Sequence, residues 1–291
     1  MDGLHYRGDG TDRPAGLPLP PHRLPWLARA PRPGRLPVPR LRLGKSWRYV
    51  SVWSPEVSLC AANVQVGPVP QEFWAVWDRS AGRLTEHTRR WKGRVDVGPG
   101  RLRVRDGDVH VELTLDERPE TAFEVVTPAD GAWTWTHKQA GIRAHGVARI
   151  GDRTLDVDAV ALVDENAGYH PRRTTWQWSG GSGVTAEGRR VAWSVIVGLN
   201  DTLPCTENTV WVDGRPQQTG EVRFAQDLSG VEFADGSSLR FAEEAARGRS
   251  DDLLLVRSSY RQPFGSFSGT LPGGLRVERA HGVMEHHDAL W

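Results

Sequence analysis

From Trp47 onward, hydrophobic and polar residues alternate with a period of two. Val109, Val111, Leu113 and Leu115 interleave with His110, Glu112 and Thr114, the pattern of a half-buried strand. Just before them, Leu102 and Val104 lead into Asp106-Gly107, a strong hairpin signal. The same punctuation recurs at Gly151-Asp152, Asp213-Gly214, Asp235-Gly236 and Gly273-Gly274. The pattern predicts an antiparallel all-β protein of roughly sixteen to eighteen strands. So many strands exceed one small barrel, so two β-barrels in tandem are expected. The seam is placed near Asn200–Thr206, where Pro204 interrupts a strand, giving barrels over 46–200 and 201–291. One short helix is expected over 241–247. Residues 1–45, rich in Pro, Arg and Leu, predict an extended arm, which Trp26 and the recurrent leucines would lay across a folded surface.

Composition narrows the function. A chain of 291 residues with 38% hydrophobic residues and 13 tryptophans can build a substantial core. A net charge of +1 argues against a nucleic-acid partner. Cys60 and Cys205 match neither a disulfide framework nor a zinc spacing. The opening Met-Asp-Gly-Leu-His-Tyr shows no signal peptide, and the apolar run Val195–Leu199 is too short for an integral membrane segment. A cytoplasmic location is therefore expected. No phosphate loop, nucleophile elbow, HExxH or CxxC pattern is present, so neither a cofactor nor a metal is expected.

The densest chemistry surrounds an irregular turn at Gly168 and Pro171. Asp164, Glu165, Tyr169, His170, Arg172, Arg173, Trp176 and Trp178 cluster there between two strand-like runs. The stretch reads either as a functional loop or as an arginine–carboxylate network capping the fold. Trp133 with Trp135, and Trp176 with Trp178, each place two indoles on one strand face, as cavity lining or as core filler. Arg172 shares the parity of Trp176 and Trp178, which predicts that it faces the same cavity and needs an anionic partner. Near the C-terminus, Glu285 and His287 share one strand face, an arrangement suited to tuning a proton donor, with a solvated tail as the alternative. Glu207 is either a structural anchor or a pocket carboxylate.

Several spaced motifs resemble a known family. Trp47-Arg-Tyr-Val, Gln71-Glu-Phe-Trp-Ala-Val-Trp-Asp78, Trp135-Thr-His-Lys-Gln-Ala-Gly141, Thr206-Glu-Asn208, Gln262-Pro-Phe-Gly-Ser-Phe-Ser-Gly269 and Gly282-Val-Met-Glu-His-His-Asp-Ala-Leu-Trp291 resemble domain of unknown function 2804. The likeness also includes Asp164, Gly168 and Trp176-Gln-Trp178, and runs from about residue 14 to the end. That family is in turn distantly similar to carotenoid 1,2-hydratases (hydroxyneurosporene synthases) and to double-lipocalin-like proteins. The resemblance implies two lipocalin-like barrels and an apolar pocket in which an acid protonates an alkene. Those hydratases carry Asp-His at the turn. Here Glu165 follows Asp164, so only the Asp is carried over.

The expected activity is acid-catalysed hydration, cyclisation or isomerisation of a small lipophilic molecule such as a polyene or terpenoid. Protonating an alkene requires a carboxylic acid kept neutral by burial, and aromatic faces to meet the cation. Asp164 is the first choice of acid, oriented by Tyr169 and His170, with Glu285 as the alternative. Trp133, Trp135, Arg172, Trp176, Trp178, Glu207 and His287 are expected to line the substrate site. A non-catalytic carrier of an apolar ligand is a second reading. A carbohydrate-active protein using Asp164, Glu207 and Glu285 is a third. The sequence carries no signal of oligomeric state.

Overall fold

The alternation at 109–115 becomes a strand whose Val and Leu side chains are buried while Glu112 and Thr114 are exposed. All five Gly-containing dipeptides join consecutive antiparallel strands, with Gly107, Gly151, Gly214, Gly236, Gly273 and Gly274 at positive φ. The computed structural model describes residues 5–13, 25, 27–30, 40–129, 132–253 and 256–290. Trp26, Trp291 and most of the expected arm lie outside the described residues.

The strands form two large curled antiparallel sheets. The first contains β4 (Lys45–Trp53), β5 (Val57–Val66), β6 (Val69–Asp78), β7 (Arg83–Arg89), β8 (Val95–Asp96), β9 (Arg101–Asp106), β10 (Val109–Leu115), β12 (Ala132–Ile150) and β13 (Arg153–Gly168). Their order is β7-β6-β5-β4-β13-β12-β10-β9-β8. Joined to β12 is β11 (Ala122–Ala129), which carries β1 (Tyr6–Gly8) on its outer side. The second sheet contains β14 (Arg173–Thr185), β15 (Arg190–Val197), β16 (Thr209–Val212), β17 (Arg215–Gln218), β18 (Val222–Phe224), β19 (Gly230–Phe233), β20 (Ser238–Leu253), β21 (Val256–Leu271) and β22 (Leu275–Leu290). Its order is β17-β16-β15-β14-β22-β21-β20-β19-β18. From the arm, β2 (Leu27–Ala30) and β3 (Arg40–Leu43) pair as a separate two-stranded ribbon.

Two sequence expectations change. The chain passes from the first sheet to the second at 169–172, and the expected seam at 200–206 falls inside the second sheet, between β15 and β16. The helix expected over 241–247 is part of β20, paired with β21 through a bulge between Glu243 and Ala245. Local helix propensity there yields to a long cross-strand ladder. No helix among the described residues is long and apolar enough to cross a membrane.

Each curl fills its own interior. Inside the first, Val50, Val52, Leu59, Leu113, Ile142 and Val163 pack with other aliphatics and a single indole, Trp74. Inside the second, Trp193, Phe233, Phe267 and Met284 pack among valines and leucines. A third cluster lies between the sheets, on the opposite face of the same strands. It holds Tyr49, Trp53, Cys60, Phe123, Leu162, Trp178, Trp211 and Phe264. Trp176 and Trp178, expected to line a barrel interior, belong instead to this cluster between the two curls.

The crossing between sheets is sterically tight. A Cβ on Gly168 would sit 2.5 Å from the Trp133 carbonyl oxygen. Gly168→Ala is expected to destabilise by roughly 2–4 kcal/mol through forced backbone movement. A chemical-denaturation midpoint indistinguishable from wild type would show that the crossing relaxes freely.

Candidate active site

Strand register brings two lines of side chains face to face. On the first sheet, Phe73, Ala62, Tyr49, Asp164, Lys138 and Phe123 stand opposite one another across β6, β5, β4, β13, β12 and β11. On the second, Arg247 pairs with Gln262 across β20 and β21, and Glu285 of β22 pairs with Trp178 of β14. Gln262 Nε2 closes that row by donating to Glu285 Oε2 at 2.9 Å. The same nitrogen donates to Tyr49 Oη of the facing sheet at 3.2 Å. One row further out, Trp176, His287 and Tyr260 align on the second sheet, and Trp47 on the first.

Glu285 is the centre of this arrangement. It is 9% exposed and takes part in none of the salt bridges among the described residues. Its oxygens accept hydrogen bonds from Trp176 Nε1 at 2.7 Å, Tyr260 Oη at 3.1 Å and Gln262 Nε2. Burial pushes its carboxyl up to about 7, against the opposing pull of the Trp176 and Tyr260 hydrogen bonds. Asp164, across the gap between the sheets, adds to the rise.

Half-buried aromatic rings frame the carboxyl. Trp47 and Trp176 stack at 6.5 Å with planes 10° apart, joining the two sheets. Trp176 lies 4.3 Å from the His287 ring, which also meets Tyr260 edge-on. Burial holds His287 at about 3, so its ring is neutral, with Nε2 against Ser258 Oγ at 2.8 Å. Trp178 packs edge-on against Tyr49 and donates to Ser194 Oγ at 3.0 Å.

Asp164 occupies a different chemical position from the one expected of it. Its Oδ2 is 2.9 Å from Lys138 Nζ, an ammonium that also holds Glu207 Oε1 at 2.6 Å and Ser194 Oγ at 3.2 Å. Glu207 Oε2 accepts from Asn200 Nδ2 at 3.0 Å, so both of its oxygens are engaged and the side chain is buried. Glu207 is therefore an anchor between the sheets rather than a lining carboxylate. Asp164 Oδ1 is buried with no hydrogen-bond partner.

The other expected site residues scatter. Tyr169 donates to the Pro25 carbonyl at 3.0 Å and packs on Trp133, and contacts neither Asp164 nor Glu285. His170 is buried on Trp47 at 5.4 Å, both ring nitrogens unpartnered, and burial beside Lys45 and Arg42 holds it well below its ordinary value. It forms the end of the aromatic run and does not orient Asp164. Trp133 and Trp135 have the parity opposite to Lys138 on β12, so they leave the gap between the sheets. Trp135 instead packs under β1 with Tyr6 and donates to Glu124 Oε2 at 2.8 Å. Glu165 is turned away as well, bound to Arg48 at 2.8 Å and His137 at 3.0 Å.

Arg172 is exposed, although Trp176 and Trp178 do face the gap. Parity holds only within a strand, and β14 begins at Arg173, after a bend at 172. Arg173 points outward to Asp288 at 2.9 Å. Arg172→Met is accordingly expected to leave the melting temperature within about 1–2 °C of wild type and ligand affinity unchanged, as surface substitutions do. A clear loss of either in thermal melting or titration would restore the inward placement.

Residues that sequence reasoning missed complete the site: Tyr49, Cys60, Phe73, Lys138, Arg247, Tyr260 and Gln262. Lys138 and Gln262 lie within motifs that carry the family likeness, and a lysine or glutamine flanked by strand hydrophobics is the available signal. A shallow groove of about 430 Å³ opens elsewhere, lined by Ser250, Asp252, Arg257 and Ser259, and does not include Glu285. Among the described residues no group of three or more His, Cys, Asp or Glu is placed to hold a metal ion.

The family described as domain of unknown function (DUF2804) matches residues 92–291. The chain belongs to this family. Within the DUF2804 fold, the match begins at β8 and spans most of the first sheet's second half and all of the second sheet. Two crystal structures share the architecture. A protein assigned as AttH from Nitrosomonas europaea superimposes with a TM-score of 0.52 at 13% identity, covering 83% of this chain and 91% of that one. Kievitone hydratase from Nectria haematococca gives 0.51 at 10% identity, covering 85% of this chain and 89% of that one. None of the curated proteins matches the chain in sequence.

Proposed function

We propose that this protein is an acid-catalysed hydratase, or a cyclase or isomerase of the same mechanistic class, acting on a lipophilic alkene held between the two sheets. The observation that carries the reading is Glu285: a buried carboxyl outside any ion pair among the described residues, held by three neutral donors, and neutral up to about pH 7. Such a group can give a proton to a carbon that water protonates poorly. Asp164, with Oδ2 committed to Lys138, is unsuited to that first step.

In the proposed reaction the Glu285 proton bonds to one alkene carbon, leaving a carbocation and the Glu285 carboxylate. The faces of Trp47 and Trp176 meet the cation through their negative π clouds. Hydration follows when water adds to the cation and loses a proton. The open Asp164 Oδ1 is the acceptor facing the same gap. Isomerisation follows when a proton leaves a neighbouring carbon, and cyclisation when a second alkene attacks. In each case a proton returns to Glu285 before the next cycle. Kievitone hydratase, which shares the fold, is by its name a hydratase.

Linear polyenes, terpenols and prenylated phenols form the panel that tests this reading, with wild type and Glu285→Gln incubated with each and followed by mass for the gain of one water or by chromatography for isomers. Turnover by wild type and not by the variant is the expected result. Equal turnover by both removes Glu285 from the chemistry, and tight retention of an unchanged ligand by both establishes a carrier.

A further inference from the structure

Arg247 lies in the same row as Glu285 and pairs through one nitrogen with a single, partly exposed carboxylate. Its side chain is 3% exposed, and burial of a guanidinium demands an anionic partner because the group does not shed its proton. The available carboxylate is Glu86, which is 35% exposed and meets only Nε, at 3.1 Å. The NH2 nitrogen reaches Thr88 Oγ1 at 3.4 Å, a long neutral bond. The NH1 nitrogen has the Cys60 sulfur at 3.9 Å, a weak acceptor. Five N–H donors therefore face one edge-on carboxylate oxygen, a distant hydroxyl and a thiol.

The guanidinium is also held in place. Its carbon sits 4.1 Å from the Phe73 ring centroid of the first sheet and 5.1 Å from Tyr260 of the second. Aromatic faces on both sheets fix the plane, and its terminal nitrogens meet only the weak or long acceptors Cys60 Sγ and Thr88 Oγ1. Tyr260 touches both groups, since its hydroxyl donates to Glu285. Gln262, opposite Arg247 in the ladder, touches Cys60 with its carbonyl oxygen and Glu285 with its amide nitrogen.

We propose that Arg247 is the subsite for an anionic oxygen of the substrate, which makes the substrate an acidic lipophile, a carboxylate or a phenolate, rather than a pure hydrocarbon. The inference rests on the reading of Glu285 as the proton donor, and it adds the substrate's chemical class. Arg247 and Glu285 stand two strands apart, so their backbones are separated by about 10 Å. The anionic oxygen and the reacting alkene carbon are therefore on the order of 10 Å apart. A cation at one end and a neutral acid at the other orient an elongated molecule in a single direction, which an apolar gap alone does not.

The test is binding, read by quenching of tryptophan fluorescence or by calorimetry, with all-trans retinoic acid, its neutral alcohol retinol, and a prenylated phenol at a pH where it is ionised. Wild type is expected to bind the acid roughly tenfold to a hundredfold more tightly than the alcohol, the range for a charge-assisted hydrogen bond. Arg247→Gln is expected to erase the difference by weakening the acid and leaving the alcohol. If Arg247→Gln fails to fold, Arg247→Lys keeps the charge, loses the fork and should retain a reduced preference. Glu86→Gln, which removes the competing carboxylate at the outer edge, should strengthen acid binding. The phenol's behaviour relative to the acid distinguishes the two sources of the anionic oxygen.

Equal affinity of wild type for acid and alcohol overturns the proposal. So does a preference that survives in Arg247→Gln, unaltered acid affinity in both Arg247→Lys and Glu86→Gln, or no binding of any probe. Equal affinity of wild type for acid and alcohol, with Glu285-dependent turnover intact, sinks this inference alone. A clear acid preference with turnover indifferent to Glu285 sinks the catalytic reading alone.

Discussion

Turnover of a responsive alkene falls by about a hundredfold to ten-thousandfold in Glu285→Gln, the range that a single positioned general acid supplies. Glutamine preserves the shape, and its single carbonyl oxygen can keep the hydrogen bonds from Tyr260 and Gln262 while the Trp176 bond is given up, so most of the loss belongs to the proton rather than to packing. Wild-type kcat/KM is expected to be level on the acid side and to fall tenfold per pH unit above about 7, where Glu285 becomes ionised. The residual activity of Glu285→Gln should lack that descent.

The same carboxyl links stability to pH with a definite sign. Its folded-state value near 7 is above the ordinary value of 4.5, so between those limits the folded protein holds a proton that the unfolded chain has released. Stability contributed by the protonated group is fully present below about pH 4.5 and is lost as pH rises through 7. The loss is on the order of 3 kcal/mol. Glu285→Gln has no such loss and is expected to be the more stable protein at pH 8, with the gap closing toward pH 4.5. Denaturation midpoints at the two pH values measure this directly. A variant less stable than wild type at pH 8 would show that Glu285 is ionised and favourably paired.

Lys138→Met has the largest expected effect on folding. Lys138 is 1% exposed and its ammonium lies between Asp164 and Glu207. Burial alone would lower its affinity for a proton, but the two carboxylates reverse that and raise it, so the charge is firmly held. Removing the ammonium leaves two carboxylates facing each other in a dry interface. One must take up a proton or the sheets must part, and breaking a buried pair in this way costs roughly 3–5 kcal/mol. The triple change Lys138→Met, Asp164→Leu, Glu207→Leu leaves no stranded charge and is expected to recover much of the loss. A single variant as stable as wild type in urea titration would mean that water already reaches this cluster.

The all-β class and the hairpins were legible because their signals are local: period-two alternation and turn residues with positive φ. The shared face of Glu285 and His287 was legible for the same reason, since both lie within one strand. Arg172 misled because the parity rule was extended one residue past the strand's start. The crossing between sheets was marked by Gly168 and Pro171, and their irregular turn was recognised, but the switch of sheets at that turn was not. Which residues face each other across two sheets depends on how the sheets pack and on the register of strands far apart in sequence, such as β4 with β13 and β14 with β22. Arg247, Gln262 and Lys138 entered the site only through that packing. Asp164 looked like the acid in isolation. Its lysine partner lies one strand away on β12, and no feature near residue 164 announces it.

The acidity of Glu285 depends on the width of the gap it occupies. Dryness is the largest cause of its raised value, and the opposing wall that excludes water belongs to a different sheet with a separate core. The two walls keep the carboxyl protonated close to neutrality, so any change that parted the sheets would return it toward its ordinary strength and disarm the acid without touching residue 285.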